Sequence, residues 1–149
     1  MNGKTALIFA SALLGCAAVA SRAEVKVYQG SEHDYVLYCS GCHSMDGSGH
    51  PGFGIPDFRD QVGHFLRLPE GRAFLMQVAG LVNTSLPDDR RAAVTNYVIT
   101  TFAGDSLPRD FRPYTADEAR RYHDDRPADV TATRRRLYEQ LNALGYAVE

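Results

Sequence analysis

With 149 residues the chain has room for one domain and a modest appendage, and its 44% apolar and 23% charged residues are those of an ordinary folded protein. Sixteen cations against 18 anions leave a formal charge of −2. That balance gives no support to a nucleic-acid partner, which would call for a basic footprint.

The N-terminus is read first because it has to be set aside. Residues 1–5 hold one cation, Lys4, and no acid; residues 6–14 are a short apolar run; small residues follow as Ala18-Val19-Ala20 and Ser21-Arg22-Ala23. This is the layout of a secretory signal peptide, too short to span a bilayer. Cleavage is expected after Ala23, with Ala20 as the second site, giving a periplasmic protein that begins at residue 24. Leu13-Leu14-Gly15-Cys16 resembles a lipoprotein box, although Leu14 fits that pattern poorly. Membrane association is expected only if Cys16 is lipidated. Loss of residues 1–23 removes Lys4 and Arg22 and no acid, so 14 cations then face 18 anions, a formal −4.

Ser31 reads as the N-cap of a first helix, with Glu32 and Asp34 in the turn where the helix dipole favours acids. That helix runs through Tyr35-Val36-Leu37-Tyr38 into Cys39-Ser40-Gly41-Cys42-His43. Between residues 44 and 56 stand four glycines and two prolines, which dictate a loop. Short helices are expected over 60–68 and 70–78, the second opened by Pro69. Pro87 fits a helix N1 position, with Asp88 and Asp89 in the first turn. Ala93, Val94, Tyr97, Val98, Thr101 and Phe102 follow at the spacing of one buried stripe, and Gly104 ends the helix.

Residues 105–113, with two prolines, read as a linker. Two polar helices are expected beyond it, over 115–124 and 127–144. Val130, Leu137, Leu141 and Leu144 form a narrow apolar stripe on the second, and Arg134-Arg135-Arg136 reads as a solvated face. No strand-like alternation outlasts residues 25–28. The fold class is therefore all-α, with residues 24–104 as one domain and 105–149 as a helical C-terminal extension that wraps that domain or docks it on a partner.

Cys39-x-x-Cys42-His43 has the spacing of a haem c attachment site: two thiols add to the two haem vinyl groups, and the next histidine falls beneath the iron. A redox dithiol would open a helix after a strand, where the dipole lowers the thiol pKa. Here the cysteines close a helix and enter a glycine-rich loop. A closed zinc site needs four ligands, and His33, His50, His64 and His123 offer no paired spacing. A disulfide between Cys39 and Cys42 would staple almost nothing. One covalent haem c, held by Cys39 and Cys42 with His43 as proximal iron ligand, is the reading that agrees with export.

Three parts in order resemble the class I c-type cytochromes over residues 31–104. A first helix carries CSGCH, a loop passes the haem edge, and SLPDDRRAAVTNYVITTF, residues 85–102, looks like the family's last helix. The resemblance implies a helical domain around a single haem, single-electron transfer rather than enzymatic catalysis, and packing of Tyr97 against the first helix. It also implies a redox protein partner: a periplasmic dehydrogenase as donor, or a downstream cytochrome or oxidase as acceptor.

The chain departs from the family at the sixth iron position, where a methionine followed by proline is usual. Met45 lies two residues from His43 and is tethered on the wrong side; Met76, ten or so residues before the last helix, is the tentative distal ligand, or else a core side chain. His64 and His50 are the other candidates, and an open position is the remaining one. A thioether suits a carrier, whereas an open iron suits a ligand-binding or peroxidase-like protein. A third reading is a tightly bound cytochrome subunit of an enzyme complex. Glycines 47, 49, 52 and 54 would let the loop pass close to the haem, Ile55-Pro56 would wall its edge, and loop carbonyls would accept from His43. The bland alternative is a surface turn.

Overall fold

A computed structural model describes residues 28–149; the expected signal peptide and Cys16 lie outside the described residues. Seven α-helices order the described chain: α1 (Gly30–Tyr38), α2 (Ser40–His43), α3 (Pro69–Leu75), α4 (Ala79–Val82), α5 (Asp88–Phe102), α6 (Ala116–Asp124) and α7 (Val130–Ala143). Short 3-10 turns fall between them, and among the described residues the sole β feature is an isolated bridge between His50 and Ile55. The all-α expectation holds.

α1 starts one residue earlier than its sequence suggests. Gln29 is the N-cap, with extended backbone and no side-chain bond, so Ser31 sits inside the first turn. The helix buries Asp34 and Tyr35. The Asp34 carboxylate accepts from Arg90 Nε of α5 at 3.0 Å, which supplies the partner a buried acid needs. Tyr35 packs its ring 5.7 Å from Tyr97 and 5.2 Å from Phe102, and its hydroxyl donates to the Ser44 carbonyl at 2.6 Å. Tyr97 thus lies against the first helix, as the family resemblance implies.

Pro87 is the N-cap of α5 rather than its first residue, and Asp88 and Asp89 occupy the first turn. The buried face is also rotated from the expected stripe: Ala92, Val94, Thr95 and Ile99 are buried, while Thr101 is exposed. α5 packs on α1 and on α6, so two neighbours draw its burial over a wider arc than one stripe.

The 60–68 segment forms a 3-10 run over Val62–Arg67, and α3 opens on Pro69 at its first turn. α4 was not legible as a helix. α6 begins with a full capping box: Glu118 N–H donates to Thr115 Oγ1, and Thr115 N–H donates to the Glu118 carboxylate, both at 3.2 Å. α7 starts at Val130, three residues after Pro127, because Asp129 caps it by accepting from Ala132 N–H at 2.9 Å.

Residues 105–149 are packed into the molecule. Arg72 of α3 donates to Glu118 at 3.0 Å and lies 4.0 Å over the Tyr114 ring. Leu137 and Leu141 of α7 are fully buried in a cluster with Phe65, Phe74 and Val148. The stripe ends there: Leu144 is 60% exposed. It lies past the end of α7, and the chain turns at Gly145 (φ +86°) to bring Val148 under cover instead. Asn142 holds that return, donating to and accepting from the Val148 backbone at 3.2 Å.

Candidate functional site

Cys39 closes α1 with its N–H donating to the Tyr35 carbonyl at 2.9 Å, and its non-helical backbone (φ −121°, ψ −40°) breaks the chain direction before α2. The four-residue α2 then presents Cys42 and His43 beside it, and Ser44, at φ +61°, ends the turn. Neither thiol is in a disulfide; Cys39 is half-buried and Cys42 exposed. Burial, with Asp34 and Cys42 adding to it, pushes the Cys39 thiol up to about 11. A nucleophilic dithiol would need the opposite shift.

Both cysteines and His43 line a cavity of about 340 Å³. Much of the remaining lining is aliphatic or aromatic, including Phe58, Leu75, Val78, Val94 and Ile99. A flat, largely apolar cofactor tethered by two thiols meets there the surface it needs, and the donor set of two thiols and one imidazole fits haem c. Three or more His, Cys, Asp or Glu side chains in metal-binding proximity, as a closed zinc site with those donors would require, do not occur among the described residues.

His43 is fixed from behind. Its Nδ1 lies 3.2 Å from the Pro56 carbonyl oxygen. The carbonyl can only accept, so Nδ1 carries the proton and Nε2 keeps its lone pair for a metal. Burial lowers the imidazole pKa, the Pro56 bond pulls the other way, and the Arg134 charge adds to the drop. The Phe58 ring stacks on the imidazole at 3.9 Å between centroids.

The glycine-rich loop serves this arrangement indirectly. Its four glycines do not line the cavity; Pro56 does. Gly49, at φ +59°, passes so close to residues 55 and 56 that a Cβ there would collide with the Pro56 carbonyl oxygen, the same atom that holds His43. The expectation of close backbone passage was right about glycine and wrong about its neighbour.

The candidate sixth ligands fare differently. Met76 is 1% exposed in the core cluster with Tyr35 and Ile99, and is absent from the cavity lining. Met45 is half-exposed and His50 sits exposed in the loop. His64 stacks on Tyr146 at 4.9 Å, with its Nδ1 buried and unpartnered, away from the lining. His43 is the one imidazole among the lining residues, and no methionine joins it.

Sequence reasoning missed the contribution of α7, whose Val130, Thr131, Arg134 and Tyr138 all line the cavity. The signal was present: residues 131, 134 and 138 share a helix face at i, i+3 and i+7. The three arginines also part ways. Arg136 pairs with Glu70, Arg135 is exposed, and Arg134 turns to the cavity while donating to the Gly54 carbonyl at 3.2 Å.

No family model matches the chain. Two curated proteins from Thermus thermophilus are similar to it, both named cytochrome c-552. One is 27% identical over 150 aligned positions, covering 87% of this chain and 95% of that protein. The other is 28% identical over 119, covering 66% of this chain and 90% of that protein. The first alignment must enter residues 105–149, because the 104 residues before them are only about 70% of the chain. These likenesses, over a helical fold with a two-thiol, one-imidazole cavity, support a c-type cytochrome family for this chain.

Proposed function

We propose that the chain is a periplasmic monohaem c-type cytochrome that carries single electrons between a dehydrogenase and a downstream cytochrome or oxidase. The observation that carries the proposal is the joint placement of Cys39, Cys42 and His43 on one cavity, with His43 Nδ1 against the Pro56 carbonyl. Residues 1–23 would direct export, and the two thiols would form the thioether links. Haem supplies the one-electron couple when bound. The protein's part is to orient His43, keep its Nε2 unprotonated and surround the group with apolar side chains that exclude water. None of these roles requires acid–base catalysis, in keeping with a carrier rather than an enzyme. The two relatives named cytochrome c-552 lend the same support.

A second reading is favoured by one observation: no methionine or second histidine lines the cavity, and Met76 is enclosed in the core. In this version the sixth iron position is open and binds a small ligand. Ligation by Met76 would require the chain just after α3 to rearrange. Absorption spectroscopy of the exported, matured protein separates the two. A low-spin oxidised spectrum with a far-red sulfur-to-iron band, and no response of the reduced form to carbon monoxide, supports the carrier with Met76 bound. A high-spin spectrum that shifts sharply with carbon monoxide supports the open site. Reversible one-electron voltammetry is expected in either case; its absence would remove the electron-transfer role.

A further inference from the structure

Resting on the haem c reading, we infer that Arg134 and Tyr138 of α7 form the binding site for the haem carboxylates. The cavity lining holds two permanently charged side chains, Asp57 and Arg134. Asp57 is satisfied by Arg59 at 2.7 Å. Arg134 has no carboxylate partner among the described residues; one guanidinium nitrogen donates to the Gly54 carbonyl at 3.2 Å. Its guanidinium keeps further N–H donors in a fork that a planar carboxylate matches best.

Tyr138 stands one turn further along the same face. Its ring is held 5.7 Å from Phe65, and its hydroxyl has no protein acceptor among the described residues. Burial raises its pKa, so the group remains an O–H donor at neutral pH. Haem enters any such cavity with two carboxylates, which need donors wherever they leave the solvent. Two other polar lining groups have partners of their own: the Gln61 side-chain carbonyl accepts from the Glu149 N–H at 2.9 Å, and His43 is held on Pro56. Arg134 is the one permanent cation among the described lining residues, a better match for an anionic carboxylate than the neutral hydroxyls of Thr95 and Thr131 or the Gln61 amide, and it shares the C-terminal helix with Tyr138.

The test compares wild-type, Arg134→Leu, Arg134→Lys and Tyr138→Phe proteins, each exported and matured, by haem content, midpoint potential and the haem carboxylate bending band in resonance Raman spectra. Removing a cation beside the haem disfavours the reduced iron. Arg134→Leu is therefore expected to lower the reduced-to-oxidised ratio about tenfold at fixed applied potential, about 59 mV for one electron, and to move the Raman band. Arg134→Lys should restore most of the potential, and Tyr138→Phe should move the band with less effect on potential. A role limited to tethering the loop through Gly54 would leave the band in place in every variant. An unmoved band with a midpoint within twofold of wild type overturns the inference. If Arg134→Leu fails to mature, the band in Arg134→Lys and Tyr138→Phe decides alone. A wild-type chain with no bound haem defeats the underlying reading instead, and this one with it.

Discussion

The part of the cavity that carries Cys39, Cys42, His43, Pro56 and Phe58 comes from one stretch of twenty residues, whereas most of the rest is assembled from the Val62–Arg67 3-10 run and from α3, α4, α5 and α7, elements spread over residues 62–143. The first part holds its key side chain by short-range bonds: the Pro56 carbonyl on His43 is thirteen residues away. The second part holds its shape through long-range packing, as in the cluster that joins Phe65 and Phe74 to Leu137, Leu141 and Val148. In the proposed function, chemistry is concentrated in the local part and water exclusion in the assembled one. The two should therefore fail in different ways.

The largest effect is expected in the assembled part. Leu137 is completely buried, and Leu137→Ala should cost about 2–5 kcal/mol in urea unfolding through lost burial and a residual cavity. Leu144→Ala, on the same helix end but 60% exposed, should cost under about 0.5 kcal/mol. Equal costs would break the claim that the extension is part of the core. In the local part, Gly49→Ala should cost more than about 1 kcal/mol, because alanine is strained at φ +59° and its Cβ meets Pro56. It should also disturb His43, visible as a changed imidazole signal in NMR spectra. A purely global loss of stability with His43 unchanged would separate the loop from the ligand.

A smaller effect concerns pH. The Arg72 hydrogen bond holds the Glu118 carboxyl below its ordinary value of 4.5. A depressed folded pKa contributes stability that is present above 4.5 and is lost as pH falls through the folded value. Glu118→Gln should flatten that acid limb of the unfolding profile and leave the neutral-pH slope alone. The smallest effect is kinetic. In protein made without haem attachment, an alkylating reagent at neutral pH should modify exposed Cys42 before half-buried Cys39, whose thiol is pushed up to about 11. Equal rates would mean that α1 does not shelter Cys39.

The same division explains how much could be read in the sequence. That Cys39, Cys42 and His43 come together was legible because their spacing and helix position are local facts, and the acids Asp88 and Asp89 marked the first turn of α5 for the same reason. The buried face of α5 was read one arc out of place, since the sequence does not show that α6 covers its second side. Leu144 matched a helical stripe that the chain leaves one residue too soon. Arg134 looked like its exposed neighbour Arg135; only the docking of α7 on the cavity distinguishes them. Met76 had the right sequence position for a ligand, but the turn after α3 points it into the core.

The central claim is that Cys39 and Cys42 carry one haem covalently, above a His43 fixed by Pro56. Intact-mass analysis of the exported protein, with the alkaline pyridine spectrum of the same sample, tests it most directly. The account predicts one haem per chain that survives acidic organic extraction and disappears in the Cys39→Ala/Cys42→Ala variant. A chain that matures without haem, or whose haem is extracted freely, would contradict it.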